Sequence, residues 1–297
     1  LQPDFDLRWQ HIKDSVHNPL LWLVVLLMLV NWALESRKWQ LLMAPLEKLS
    51  FLTAFKSVLA GCSITMLTPN RIGEYDGRIL YINENNRLKE ISHTILVNMS
   101  QLFVTLLMGT AGLVYFRFIG GQGKMLNIIL SPFLLNILLY ISVLVCIGLL
   151  LLYLRAGFLV TLINRAGVFK KIVKYIEHLS DFNRKQLLRI LFLSIFRYLV
   201  FILQYMLLLH VLQVNIHPVV CFWLLAVYYL LLAFTPTIGF TELPIRAAAS
   251  VQLLQVFSAN ILGIEVASFG IWLINLVLPA IIGSILILKV KIIKEND

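Results

Sequence analysis

Between Leu191 and Leu288 the chain carries only four charged residues, Arg197, Glu242, Arg246 and Glu265. A stretch so poor in charge has no water-facing surface of its own. Its apolar runs reach or approach the ~20 residues that carry a helix across a ~30 Å hydrocarbon layer. None shows the sustained alternation of a membrane barrel strand. The rest of the chain agrees: hydrophobic residues make up 60% of 297, charged residues 13%, and mean hydropathy is +0.86. These values exclude an ordinary soluble domain and predict an all-α, polytopic helical membrane protein forming a single integral membrane domain.

The net charge of +10 does not indicate nucleic-acid binding, because the basic residues cluster beside apolar runs, as cytoplasmic loops facing anionic headgroups do. Cys62, Cys146 and Cys221 each lie within an apolar run without paired spacing, so they read as small buried hydrophobes rather than disulfides or zinc ligands. The polar, mixed-charge start from Leu1 to Asn18 does not resemble a cleavable signal.

In chain order, the expected spans are 19–34, 51–67, 91–116, 125–153, 187–212, 217–234, the helical continuation 247–257, and 266–288, about eight crossings in all. The first is expected to end in an interfacial anchor, Glu35-Ser36-Arg37-Lys38-Trp39, and the polar segment from Tyr81 to Glu90 is expected to surface. His93, His210 and His217, near the ends of runs, read as interface residues.

Between a first half (1–154) and a second half (190–297) lies a basic linker, 155–189, with Arg155, Arg165, Lys170, Lys171, Lys174, Arg184, Lys185 and Arg189 against Glu177 and Asp181. The positive-inside rule makes this linker cytoplasmic, and Lys289, Lys291 and Lys294 put the C-terminus on the same side. Phe169, Ile172, Val173, Ile176 and Leu179 recur at helical spacing, which suits a short helix lying on the inner leaflet or a solvated connector packed on the bundle.

Two segments break the apolar pattern in the same way. Thr68-Pro69-Asn70-Arg71-Ile72-Gly73-Glu74-Tyr75-Asp76-Gly77-Arg78 and Thr235-Pro236-Thr237-Ile238-Gly239-Phe240-Thr241-Glu242-Leu243-Pro244-Ile245-Arg246 each carry Thr-Pro, a nearby glycine, a glutamate, and an arginine four residues after it. Proline removes a backbone donor and glycine weakens a helix interior, so Pro69, Gly73, Pro236, Gly239 and Pro244 are expected to break or re-enter helices. Irregular backbone at membrane depth persists only where protein buries it or it lines a water-filled cavity. Substrates bind at such discontinuous helices in transporters.

A charge near the bilayer centre costs at least ~2.5–3.5 kcal/mol, so each is a functional candidate. Glu74 with Arg78, and Glu242 with Arg246, stand one helical turn apart and can pair with each other or across the two motifs. Arg71 belongs to the same set, whereas Asp76 reads as interfacial. Arg197, about eight residues or ~12 Å past Arg189 on an apolar helix, either snorkels to the surface or faces a cavity as a phosphate-binding or counter-charge residue. The repetition predicts two related halves forming a pseudo-repeat around one polar chamber.

At these residues the sequence resembles the lysylphosphatidylglycerol synthase transmembrane-region family of flippase-like integral membrane proteins. The resemblance rests on Pro69, Gly73, Glu74 and Arg78 after the second span, on Pro236, Gly239 and Glu242 late in the chain, and on Arg37-Lys38-Trp39. It implies a membrane domain that moves a lipid or glycolipid between leaflets. Bifunctional relatives join such a domain to a soluble aminoacyltransferase; here the longest soluble stretch, about 35 residues, is too short for one. Many relatives carry extra glycines before the second glutamate, where this sequence has Gly239-Phe240-Thr241 and then Leu243-Pro244.

The leading expectation is therefore a lipid translocase in the plasma (bacterial inner) membrane. Its substrate would be an anionic or aminoacylated phospholipid or a lipid-linked precursor, with a separate lipid-modifying enzyme as the expected partner. Arg71, Arg78 and Arg246 would hold the phosphate, with Arg197 as a further candidate, and Glu74 and Glu242 would offset charge or bind an amine. No cofactor, metal or catalytic constellation is expected: His-Glu-x-x-His and Gly-x-Ser-x-Gly are missing, and Asp4-Phe5-Asp6 precedes the first span. The alternatives are an intramembrane enzyme acting on a lipid and an ion-coupled small-solute transporter.

Overall fold

The computed structural model describes residues 5–68, 73–119, 131–154, 182–235 and 241–295. Every regular element among them is helical. In order they are α1 (Phe5–Asp14), α2 (Pro19–Met43), α3 (Phe51–Thr65), α4 (Gly73–Ile79), α5 (Arg87–Val114), α6 (Pro132–Leu154), α7 (Arg184–Val211), α8 (Pro218–Ala233), α9 (Glu242–Leu254), α10 (Ile261–Trp272) and α11 (Leu278–Glu295). A π-helical turn, Tyr115–Ile119, follows α5, and another, Leu273–Val277, joins α10 to α11. The basic residues 155–181 lie outside the described residues, as do Pro69, Arg71, Pro236 and Gly239.

Five helical stretches are long and apolar enough to cross a membrane: Pro19–Met43, Lys89–Ile119, Pro132–Leu154, Arg184–Val211 and Ile261–Lys289. At 25 residues the first is roughly 37 Å long. Large apolar side chains stay outside the fold along them, including Phe133, Tyr140 and Leu144 on α6 and Phe192 on α7. This is the surface of a chain whose solvent is lipid. The protein is thus an all-helical integral membrane protein. The apolar α3 and α8, at 15 and 16 residues, reach only about 22–24 Å, short of the hydrocarbon thickness. Both interruptions predicted from the Thr-Pro motifs fall just beyond these two helices.

The helices group into two compact units. One comprises Leu1–Asn31, Thr105–Leu144 and Leu199–Leu278; the other comprises Trp32–Val104, Val145–Tyr198 and Pro279–Asp297. In the first, α5 packs on α8 through glycine. A Cβ on Gly109 would come within 2.4 Å of Leu230 Cβ, and one on Gly112 within 3.0 Å of the Trp223 carbonyl. Small residues that let backbones approach drive association of membrane helices, where lipid removes the usual hydrophobic drive. Fully buried Gln204 donates to the Val24 carbonyl at 2.8 Å and accepts from Asn275 Nδ2 at 2.9 Å, tying α7 to α2 and to the π-helical turn after α10. Asn260 caps α10 by accepting from Gly263 N (3.0 Å) and donates to the Leu212 carbonyl (2.9 Å).

In the second unit α4 lies directly on α3. A Cβ on Gly77 would meet Ala60 C and O at 2.4 Å, and one on Gly61 would meet the Glu74 carbonyl at 2.9 Å. Gly283 of α11 sits against α3 as closely, since a Cβ there would be 2.0 Å from Leu59 O. Beside it the Ser63 and Ser284 hydroxyls share a 2.6 Å hydrogen bond. Ser50 caps α3, its hydroxyl accepting from Thr53 N at 3.1 Å.

Several expectations need correction. The first span does not end at Leu34: α2 runs to Met43, and Glu35, Lys38 and Trp39 are buried, not an interfacial anchor. The chain does not surface through Glu90, which is 0% exposed in the first turn of α5. His93 is buried against the Phe182 ring at 4.7 Å, not interfacial. Pro244 is not a break. It is the third residue of α9, where a helix has no partner for the backbone N–H anyway, so helix begins at Glu242 instead of Ala247.

Candidate functional site

The two motifs are built alike. Each threonine before the proline donates its hydroxyl to the carbonyl four residues earlier: Thr68 to Ile64 at 3.3 Å and Thr235 to Leu231 at 2.9 Å. Thr68 Oγ1 also accepts from Gly73 N at 2.8 Å, spanning the interruption to start α4. Each following helix then pairs a glutamate in its first turn with the arginine one turn later, Glu74 with Arg78 on α4 and Glu242 with Arg246 on α9. Carboxylates at these positions also face the positive end of the helix dipole. Each unit holds one motif.

In the second unit the pair belongs to a larger buried cluster. Glu35 is its hub: Oε1 accepts from Arg78 Nη2 at 3.0 Å, while Oε2 lies 2.8 Å from Lys38 Nζ and 3.2 Å from Arg197 Nη1. Glu74 shares Arg78 and accepts from Asn98 Nδ2 at 3.1 Å. Neutral donors and acceptors complete the shell. Lys38 Nζ donates to Gln101 Oε1 (3.3 Å) and Ser194 Oγ (3.2 Å), and Arg197 Nη1 donates to Gln101 Oε1 (3.4 Å). Two indoles cover the guanidinium faces, Trp39 at 4.7 Å from Arg78 and Trp32 at 5.6 Å from Arg197. Three cations thus meet two carboxylates with almost no exposure; the Lys38 and Arg78 side chains are both at 0%.

Pairing is what makes this charge density tolerable out of water. Arg197 is therefore a counter-charge and does not snorkel. The sequence reading missed Glu35 and Lys38, although their i, i+3 spacing inside an apolar helix was a visible signal. Arg78 is tied to two carboxylates through one nitrogen; its Nε and Nη1 have no hydrogen-bond partner. Close by, Glu90 accepts from the Thr94 hydroxyl at 2.8 Å through Oε1, and its Oε2 has none.

In the first unit the Glu242–Arg246 pair is more open, each side chain retaining 16% exposure. Arg246 Nε and Nη2 both donate to Glu242 Oε1, the former at 2.8 Å. Around the pair stand Tyr205, Tyr228 and Tyr229, whose rings contact one another at centroid separations of 5.1–6.5 Å. Of the arginines predicted to bind substrate, then, Arg78 and Arg197 are enclosed in one ionic cluster, Arg246 is partly accessible, and Arg71 lies outside the described residues. Among the described residues, no three of histidine, cysteine, aspartate and glutamate come together in a way that could hold a metal ion.

Short apolar helices, each followed by a helix that begins on a Glu–Arg pair, one enclosed and one partly exposed, define this chain as an all-helical integral membrane protein that carries paired charges inside the fold. The chain belongs to the family described as lysylphosphatidylglycerol synthase TM region, whose model matches residues 7–283. That membership points to a membrane lipid-related function. No curated protein and no solved structure gives a significant match.

Proposed function

We propose that this protein is a lipid translocase, carrying the headgroup of a membrane lipid past the hydrocarbon layer at a helix interruption while the acyl chains stay in lipid. The observation that supports this most directly is the partly exposed Glu242–Arg246 pair at the start of α9, just beyond an apolar helix too short to cross alone. A guanidinium held there offers charge-assisted hydrogen bonds to a phosphate. The neighbouring carboxylate balances it or receives an amine. Glu35, Lys38, Glu74, Arg78 and Arg197 act differently in this reading. They hold α2, α4 and α7 together so that irregular backbone survives at membrane depth.

The substrate is an anionic or aminoacylated phospholipid or a lipid-linked precursor, made by a separate lipid-modifying enzyme, and the step is transport without covalent change. The setting is the bacterial inner membrane with the lysine-rich end of α11 on the cytoplasmic side. The test is transfer of a headgroup-labelled phospholipid between leaflets of proteoliposomes. Glu242→Gln and Arg246→Ala should each abolish transfer while leaving folding intact; normal transfer by both removes the site from consideration. Recovery of a chemically altered lipid after incubation with purified protein would replace transport with catalysis.

A further inference from the structure

α7 ends in a tight, fixed turn. Val214 N donates to the Leu209 carbonyl at 2.9 Å and Gln213 N to the His210 carbonyl at 3.0 Å, with Gln213 in the left-handed region at φ 57°. This is the hydrogen-bond pattern of a Schellman cap, and Leu209 and Val214 are both buried beneath it. A residue other than glycine is costly in that conformation, so the turn persists because its surroundings hold it. Asn260 is part of that hold, its amide donating to the Leu212 carbonyl at 2.9 Å and the Gln213 carbonyl at 3.4 Å.

Beside this turn a cavity of about 450 Å³ opens between the end of α7 and the start of α8. Leu203, Met206 and Leu207 line it along α7, and His210, Asn215 and His217 supply its polar groups. Leu203 precedes His210 by roughly 10 Å along the helix axis, so the lining passes from hydrocarbon to polar as a bilayer does from tail to headgroup. Leu203 is 47% exposed, and lipid is the solvent that meets it on a membrane span. Both histidines are exposed as well, and the His217 side chain is not spent on capping α8. An imidazole donates an N–H whether neutral or charged, and the Asn215 amide donates too.

We infer that this crevice is a resident site for a glycerophospholipid, with an acyl chain along Leu203, Met206 and Leu207 and the phosphate between His210, Asn215 and His217. The fixed turn presents the polar groups already in place, which lowers the ordering cost of binding. Asn260 opens the span that ends at Lys289, so with the lysines cytoplasmic the lipid belongs to the outer leaflet. The site is separate from the Glu242–Arg246 pair and does not depend on the translocase reading, because a resident lipid is held whether or not leaflet transfer occurs.

The experiment titrates dihexanoylphosphatidylglycerol into the purified full chain in detergent, read by native mass spectrometry, with uncharged dihexanoylglycerol and inorganic phosphate as further probes. The phosphatidylglycerol should bind more tightly than either. His210→Ala and His217→Ala should each weaken it about tenfold, the loss of one hydrogen bond to a charged group, while His217→Gln, which keeps a donor, should weaken it less. Leu207→Trp should abolish binding by filling the crevice, and Leu144→Trp, on the lipid-facing surface of α6, should leave binding unchanged. Unchanged binding in both histidine variants and in Leu207→Trp, or equal weakening by Leu144→Trp, overturns the site. Diacylglycerol binding as tightly as the phospholipid overturns recognition of the phosphate, and inorganic phosphate binding as tightly overturns the lipid as its source.

Discussion

Replacing Glu35 with glutamine should be among the most damaging single changes this protein can undergo. The substitution preserves shape and removes one charge. In the native cluster Glu35 answers three cations, at 3.0, 2.8 and 3.2 Å. Each contact is worth on the order of 5 kcal/mol at an effective dielectric constant of about 20. Desolvation offsets much of that sum, and removing one partner from a buried ionic group generally costs about 3–5 kcal/mol. In Glu35→Gln three enclosed cations are left with Glu74, which reaches Arg78. At roughly 2–4 °C per kcal/mol, the unfolding temperature in detergent should drop by on the order of 10 °C.

Lys38→Met should cost distinctly less, since Glu35 loses one of three cations but keeps Arg78 and Arg197, and the other groups that lose a donor, Gln101 and Ser194, are neutral. The double variant should recover most of the Glu35→Gln loss, because the cluster returns to one excess positive charge, as in the native protein. Thermal unfolding of the three variants in one detergent measures the cycle. A Glu35→Gln cost below about 1 kcal/mol, or a Lys38→Met cost as large as that of Glu35→Gln, refutes the hub argument.

Two further predictions address packing. Gly77→Ala should force α4 off α3, because its Cβ would meet the backbone of Ala60 at 2.4 Å, and should lower thermal stability and raise protease sensitivity; Gly148→Ala on α6, where a Cβ meets nothing within 4 Å, should leave both unchanged. Gln204→Leu should destabilise by about 1–3 kcal/mol, since the Val24 carbonyl and the Asn275 amide lose their buried partner, as unfolding in detergent would show.

Much of the local architecture could be read directly because it depends on neighbours in sequence. Hydropathy located the long helices, and the helices before Thr68 and Thr235 end at Thr65 and Ala233, next to where the Thr-Pro motifs predict interruptions. The pairings of Glu74 with Arg78 and Glu242 with Arg246 were legible for the same reason: a helical turn fixes them. Pro244 misled because proline disrupts a helix interior but not its first turn, and the difference depends on where the helix starts.

What the sequence could not disclose was the company each charge keeps. Glu35, Lys38 and Trp39 have the composition of an interfacial girdle, and in isolation α2 would carry them as one. Only the packing of α4 and α7 against α2 brings Arg78 and Arg197 onto the Glu35 carboxylate and turns that girdle into a sealed ionic centre. The sequence determined a helical membrane chain with two interrupted segments, because lipid demands satisfied backbone and long apolar runs. The tertiary structure decided which charges were enclosed and which stayed within reach, because burial and ion pairing belong to several helices at once.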